Sequence, residues 1–247
     1  MDGRPGAGDA TAGPGAPAGF TALASVDPTI RQDVRYATGR SFVGVPVDGY
    51  AEPVCLLTRV AARALRGVQR GLLRTGLSLK VYDCYRPQRA VDHFVRWAGD
   101  PLDQRTKGEF YPRVAKSRLF AEGWIAERSG HSRGSTVDVS LVELPAGAGR
   151  AGSARPGAPC FAPQAERSPD DSVDMGTGFD CFDPLARTAD PRVGPGQREN
   201  RRKLVAAMEA AGFVNLPQEW WHFTYAAEPY PGTFFDFPVS GGSLRRR

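Results

Sequence analysis

The chain has three histidines, His93, His131 and His222, and two of them stand among other ligand-type residues. In the segment from Ser129 to Asp138, SGHSRGSTVD, His131 sits in a Gly/Ser-rich turn and Asp138 on the strand expected to follow. Further along, Glu219-Trp220-Trp221-His222 sets a carboxylate three residues before a second imidazole. His131, Asp138 and His222 together form an N, O, N donor set that leaves a fourth position for water, the pattern of catalytic rather than structural zinc. Magnesium and calcium prefer all-oxygen shells and fit less well. Zinc lowers the pKa of bound water to about 7, and Glu219 is the group placed to take that proton and pass it to a leaving amine. Either motif alone is weak, because single His and ExxH patterns recur without function. His93 reads as a packing or surface histidine.

The elements that must position these residues follow from periodicity. Leu77 to Tyr82 alternates as a strand, Arg86-Pro87 breaks it, and Gln88 to Trp97 resumes a helical spacing. That succession presents Asp83 to Arg86 at a sheet end. Thr136 to Leu141 alternates again, with Val137, Val139 and Leu141 on one face and Thr136, Asp138 and Ser140 on the other. Pro53 to Gly71 and Gln197 to Ala211 carry helical patterns, the second closed by Gly212. Trp220 to Tyr225 is the last expected strand. Residues three apart in a strand face opposite ways, so Glu219 is expected in the loop leaving Pro217, angled into the same cleft as His222. Strands and helices mixed without βαβ alternation predict an α+β class, a single domain with a central, mostly antiparallel sheet flanked by helices.

A length of 247 residues suits one large domain with tails. Residues 1–19 read as a flexible leader or linker, 20–239 as the domain, 145–172 as a surface-loop insertion and 240–247 as a flexible basic tail. At 41% hydrophobic and 24% charged the composition is globular, and no stretch reaches the ~18 consecutive apolar residues of a membrane span. The net charge is +5, and Arg245, Arg246 and Arg247 supply three of those charges. No basic stripe interleaved with aromatics marks a nucleic-acid surface. Cys55, Cys84, Cys160 and Cys181 form no CxxC, so neither a thioredoxin motif nor a zinc ribbon is present. Two disulfides are compatible with these four, in a pairing the sequence does not define. The cysteines and linker-like leader favour a periplasmic or secreted protein, while the lack of a signal-peptide core favours the cytoplasm. Oligomeric state is not legible.

The segments YDCYRPQRAV, SGHSRGSTVDVSL, DMGTGFDCFD, NRRKLVAAMEAAGF, EWWHFTY and EPYPGTFFDFPV resemble the VanX-type D-alanyl-D-alanine dipeptidases, zinc peptidases of the D,D-peptidase/Hedgehog fold. The resemblance runs from about Ala22 to Val239, interrupted by the 145–172 loop. It implies hydrolysis of D-Ala-D-Ala to two D-alanines with one zinc per chain. By position in the motifs, His131, Asp138 and His222 would be the ligands and Glu219 the base and later acid. Arg86 would steady the developing oxyanion, a role suited to a permanently charged guanidinium. Asp180 and Tyr36 would hold the substrate's ammonium, Ser129 would line the pocket, and Asp183 is a weaker candidate. Gly130 stands where the family often has Ser, which removes a hydroxyl contact. Cys84 and Cys181 both fall inside these motifs, so a Cys84–Cys181 disulfide is expected if the motifs converge within about 7 Å.

Two other readings fit the metal set. A D,D-carboxypeptidase or endopeptidase acting on larger peptidoglycan stems keeps the fold and changes the substrate, but Asp180 and Tyr36, as captors of a free ammonium, argue against long chains. A non-catalytic zinc-bearing wall-binding module has no need of Glu219 or Arg86.

Overall fold

A computed structural model describes residues 15–145 and 157–244. Five strands form the central sheet in the order β2-β4-β5-β7-β6: β2 (Arg31–Gln32), β4 (Leu77–Asp83), β5 (Thr136–Glu143), β7 (His222–Tyr225) and β6 (Phe213–Asn215). Only the β2–β4 pair is parallel. β1 (Phe20–Ala22) and β3 (Leu56–Thr58) make a separate antiparallel pair. The helices are α1 (Arg59–Leu73), α2 (Gln88–Gly99), the single turn α3 (Lys107–Phe110) and α4 (Pro195–Glu209). This is the expected α+β domain with a mostly antiparallel sheet.

The central strand β5 is buried from Thr136 to Val142. Its Val137, Val139 and Leu141 enter the apolar core while Thr136, Asp138 and Ser140 share the other face, so the alternation in the sequence is the division between core and site. α1 buries Ala61, Ala62, Leu65, Val68 and Leu72. It starts later than the helical pattern from Pro53 suggests, because Leu56 to Thr58 spend their backbone groups on β1. α4 runs from Pro195 and is closed by Gly212 in the left-handed region, at φ +86°.

The chain ends of the domain meet one another. The Ala16 N–H donates to the Ser243 carbonyl at 2.8 Å, so residues 15–19 and 240–244, expected within the leader and tail, are fastened to the domain. Residues 1–14 and 245–247 lie outside the described residues, as do 146–156 of the expected insertion. Its remaining part runs along the surface without regular secondary structure and is tied down by charge. Asp170 and Asp171 bind Lys80, Arg35 and Arg31 on or beside β2 and β4, and the Tyr82 hydroxyl donates to Asp170 at 2.8 Å.

The cysteines correct an expectation. Cys84 and Cys181 do not pair: the disulfides are Cys55–Cys84 and Cys160–Cys181, with Cα separations of 5.3 and 5.4 Å. Backbone hydrogen bonds set the choice. The Tyr85 N–H donates to the Leu56 carbonyl and brings Cys84 beside Cys55, whereas the Gly178 N–H donates to the Cys160 carbonyl and closes that strand of chain onto Cys181. Membership of two neighbouring motifs was too coarse a guide to a pairing that needs a Cα separation within about 7 Å.

Candidate active site

The sheet register builds the site. Asp83 on β4, Asp138 on β5 and His222 on β7 are successive cross-strand partners, one row across three adjacent strands. His131 comes in from the 3-10 turn Gly130–Arg133 that precedes β5. The Ser129 hydroxyl accepts the His131 N–H at 3.2 Å and caps that turn, and Gly134 ends it at φ +81°, where a Cβ would strike the Phe20 ring at 2.3 Å. Only glycine fits there. Gly130 is also crowded, since a Cβ would lie 3.0 Å from Thr136 Oγ1.

His131 Nδ1 lies 2.7 Å from the Cys84 carbonyl. A carbonyl only accepts, so Nδ1 carries the proton and Nε2 presents its lone pair to the row. His131 Nε2, Asp138 Oδ1 and His222 Nδ1 then form a nearly equilateral triangle with sides of 3.2, 3.2 and 3.3 Å. Asp138 Oδ1 is buried yet makes no well-aligned hydrogen bond, and the three atoms lie close enough together to share one ion. Tetrahedral bonds of about 2.0–2.1 Å separate neighbouring donors by about 3.3–3.4 Å. The triangle therefore fits a small divalent metal ion. Burial opposes the charge of Asp138, but the two imidazoles outweigh it and hold this carboxyl below its ordinary range.

Glu219 lies in the turn before β7, where the Glu219 N–H donates to the Leu216 carbonyl and the His222 N–H to that of Glu219. Its Oε2 is 3.5 Å from His222 Nδ1, at the edge of the triangle. Burial pushes its carboxyl up to about 7, with Asp138 adding to the rise and His222 and Arg86 opposing it. Arg86 bonds Asp83 through Nε at 2.9 Å and Nη2 at 2.7 Å, reaches Ser129 Oγ at 3.5 Å and lies 3.7 Å from Asp138 Oδ2. Its guanidinium lies 5.0 Å from the ring centroids of both Tyr36 and Phe94. Burial works against its charge, but Asp83 and the surrounding acidic groups outweigh burial and keep it firmly protonated.

Asp180 approaches from the far side of Tyr36, whose hydroxyl donates to Asp180 Oδ2 at 2.9 Å. It is the one non-glycine at positive φ among the described residues, at +58°, a conformation that costs about 1 kcal/mol even where Asp tolerates it. Burial, and then the charge of Asp138, pushes its carboxyl well above the usual range despite the Tyr36 bond.

The structure thus brings His131, Asp138, His222, Glu219, Arg86, Ser129, Tyr36 and Asp180 to one region. Asp183 belongs elsewhere: its carboxylate takes Arg113 in two bonds of 2.6 Å and caps the turn at Leu185. His93 is engaged with the Asp48 backbone at 3.1 Å, a packing role. Trp220 and Trp221 are buried core rings, Trp220 Nε1 donating to Thr177 Oγ1. Three contributors escaped the sequence reading. Asp83 anchors Arg86, Tyr50 donates to Asp83 Oδ1 at 2.6 Å, and Asn215 Nδ2 donates to the carbonyls of Glu219 and His222. Of these only Asp83 carried a signal, as a carboxylate on the strand leading into Arg86.

A buried N, O, N triangle on an α+β sheet, beside a protonatable carboxyl and a fixed cation, is arranged to hold a divalent metal ion next to an acid–base group. The family model for peptidase M15, described as D-ala-D-ala dipeptidase, matches residues 16–149 and 167–240, and the chain belongs to this family. It is 39% identical over 211 residues to a D-alanyl-D-alanine dipeptidase of Streptomyces coelicolor, covering 85% of this chain and 93% of that protein. A protein of the same name from Enterococcus faecalis is 37% identical over 222 residues, covering 90% and 98%. One from Escherichia coli is 28% identical over 210 residues, covering 85% and 86%. A solved structure of a vancomycin resistance D,D-pentapeptidase VanY mutant with Zn(II) covers 73% of this chain and 78% of its own at 15% identity, with a TM-score of 0.37, too loose a likeness to compare the sites.

Proposed function

We propose that this chain is a zinc-dependent dipeptidase that hydrolyses D-Ala-D-Ala to two D-alanines, with residues 20–239 as the catalytic domain. The observation that carries this reading is the triangle of His131 Nε2, Asp138 Oδ1 and His222 Nδ1 with Glu219 at its edge. The names of the relatives supply the substrate class. His131, Asp138 and His222 would hold one zinc ion per chain. Zinc, when bound, supplies Lewis acidity that brings the pKa of water to about 7.

The remaining steps fall to this chain's own groups. Glu219, poised near neutrality, accepts a proton from the attacking water and returns it to the departing amine. Arg86, held by Asp83, sets a permanent positive charge where the carbonyl oxygen becomes anionic. Asp180, backed by Tyr36, receives the substrate's ammonium, and that cation favours the ionised carboxylate that burial disfavours. A buried counter-charge at one end of the site selects a free amino terminus. The reaction would turn free D-Ala-D-Ala into D-alanine in peptidoglycan-precursor or wall-turnover metabolism, with glycopeptide resistance as one setting for it.

The test is D-alanine release from D-Ala-D-Ala by zinc-loaded protein beside D-Ala-D-Ala-D-Ala and a stem pentapeptide, with Glu219→Gln as control. Release from the dipeptide alone, lost in the variant, is the expected result. Cleavage of the longer peptides would move the chain to a carboxypeptidase reading, and silence on all three with zinc bound would make it a binding module.

A further inference from the structure

Both disulfides end beside a group the proposed reaction needs, and the two groups differ. Cys84 is the residue whose carbonyl accepts from His131 Nδ1. It stands one residue past the end of β4, beyond an irregularity in the β4–β5 register between Val81 and Asp83. The β4–β5 ladder ends at the Asp83–Asp138 pair, so it gives Cys84 no partner. Its position is set by the bond to Cys55, by the Tyr85 N–H donating to the Leu56 carbonyl and, two residues on, by the Arg86 N–H donating to the His131 carbonyl at 3.3 Å. Cys55 is itself fixed from both sides, donating its N–H to Gln32 Oε1 and accepting from the Leu23 N–H, each at 2.9 Å.

Cys181 directly follows Asp180, in a stretch with no regular secondary structure. Asp180 holds an unfavourable backbone conformation, which persists only where its surroundings impose it. On its C-terminal side those surroundings are the Cys160–Cys181 bond and the Phe182 N–H donating to the Phe110 carbonyl. Cys160 is tied down by its own N–H to the Glu109 carbonyl at 2.8 Å.

We propose that the two disulfides are separate positioning elements: Cys55–Cys84 sets the tautomer and aim of His131 and so the affinity for the metal, and Cys160–Cys181 sets Asp180 and so the affinity for the dipeptide's ammonium. A ligating imidazole whose second nitrogen loses its acceptor typically binds metal about 10–100-fold more weakly. Zinc binding and dipeptide binding are therefore expected to respond to different bonds. The second half rests on the function proposed above; the first needs only the metal site.

The experiment compares Cys55→Ala/Cys84→Ala and Cys160→Ala/Cys181→Ala with the wild-type chain. Zinc affinity is measured by competition with a chromophoric chelator, and KM and kcat for D-Ala-D-Ala at saturating zinc. The first variant is expected to bind zinc at least tenfold more weakly with KM within about twofold of wild type. The second is expected to raise KM about tenfold with zinc affinity unchanged. Equal losses in both parameters, or a lower Tm with neither parameter moved selectively, would make the bonds general staples and overturn the proposal. If a variant fails to fold, partial reduction and alkylation of the folded wild type, with the singly reduced species separated, gives the same readouts. A wild-type chain that binds zinc but neither binds nor cleaves the dipeptide would overturn the proposed function together with the Cys160–Cys181 half. The Cys55–Cys84 half would still be decided by zinc affinity.

Discussion

Asp83 and Asp138 stand opposite each other on adjacent strands, two buried carboxylates in one row of the sheet. Like charges so placed repel, and each carboxylate has different nearest partners. Asp83 takes Arg86 and the Tyr50 hydroxyl, while Asp138 faces the imidazoles of His131 and His222. The two Asp→Asn variants should therefore behave differently. Asp138→Asn removes a donor from the triangle and is expected to weaken zinc by more than about 100-fold, beyond the 10–100-fold typical of a supporting partner. Asp83→Asn leaves the triangle intact and is expected to reduce turnover more than zinc affinity. Chelator competition and steady-state rates on the two variants check this, and equal zinc loss in both would contradict it.

Glu219→Gln keeps the shape of the side chain and removes its basicity. Zinc should be retained and kcat should fall by about 10²–10⁴, the usual worth of a positioned acid–base group. Burial holds this carboxyl at about 7 in the metal-free chain, and positive charge at the neighbouring triangle draws it lower. Glu219 must be ionised to accept a proton, so kcat/KM of the zinc enzyme should rise with pH along a limb centred below 7. A limb centred above 7, or one surviving in Glu219→Gln, would assign the base elsewhere.

Arg86→Ala should slow turnover by about 10²–10³, the usual loss for one donor to a developing oxyanion. It also strands Asp83 as a buried carboxylate, so a lower Tm is expected alongside. Adding Asp83→Asn to Arg86→Ala should recover part of the Tm without recovering the rate, which separates the catalytic loss from the structural one. Recovery of both would reduce Arg86 to a structural partner of Asp83.

The strands and helices that carry this site were legible because their signals are local. The alternation from Thr136 to Leu141 and the break at Arg86-Pro87 depend on neighbours in the chain, and they placed Asp138 and Arg86 correctly. What stayed hidden depends on register and long-range contact. No local pattern in YDC states that Asp83 will face Asp138, or that Cys84 will back onto Cys55 rather than reach Cys181. The 145–172 stretch reads as a surface loop because it is rich in Gly, Pro and polar residues, yet at its described end Asp170 and Asp171 anchor to buried Lys80 and to Arg35 and Arg31. Charge partners 90 or more residues apart leave no periodic trace.

That anchor has a pH signature. Burial opposes the charge of Asp170, but Lys80 and Arg35 outweigh it and hold its carboxyl well below the ordinary range. A carboxyl whose pKa is depressed on folding adds stability above its unfolded value, about 3.9, and loses it as pH falls through the lower folded value. Tm should therefore be insensitive to this group near neutrality and drop below about pH 4. Asp170→Asn is expected to cost roughly 1.5–3 kcal/mol at pH 7, the scale of hydrogen bonds to charged groups, and to differ less from wild type at pH 3. Thermal melts of both chains across that range check it, and a pH-independent difference would rule the ion pairs out as the source.

Asp180 decides whether the site discriminates at the amino end of its substrate. Its carboxyl is buried and disfavours charge until a cation arrives, and the Tyr36 hydroxyl fixes one of its oxygens. A neutral acyl group in place of the ammonium offers no such compensation and leaves the buried acid with the Tyr36 hydroxyl but no counter-charge. Asp180→Asn should therefore raise KM for D-Ala-D-Ala by at least tenfold, with kcat and zinc affinity changed much less. The same substitution should narrow the preference for D-Ala-D-Ala over N-acetyl-D-Ala-D-Ala, because the asparagine no longer rewards a positive charge. Steady-state kinetics on the two substrates with both chains measure the ratio directly. A preference that survives Asp180→Asn intact would place the ammonium against another group, and a fall in kcat with KM unchanged would move Asp180 from substrate capture to the reacting centre.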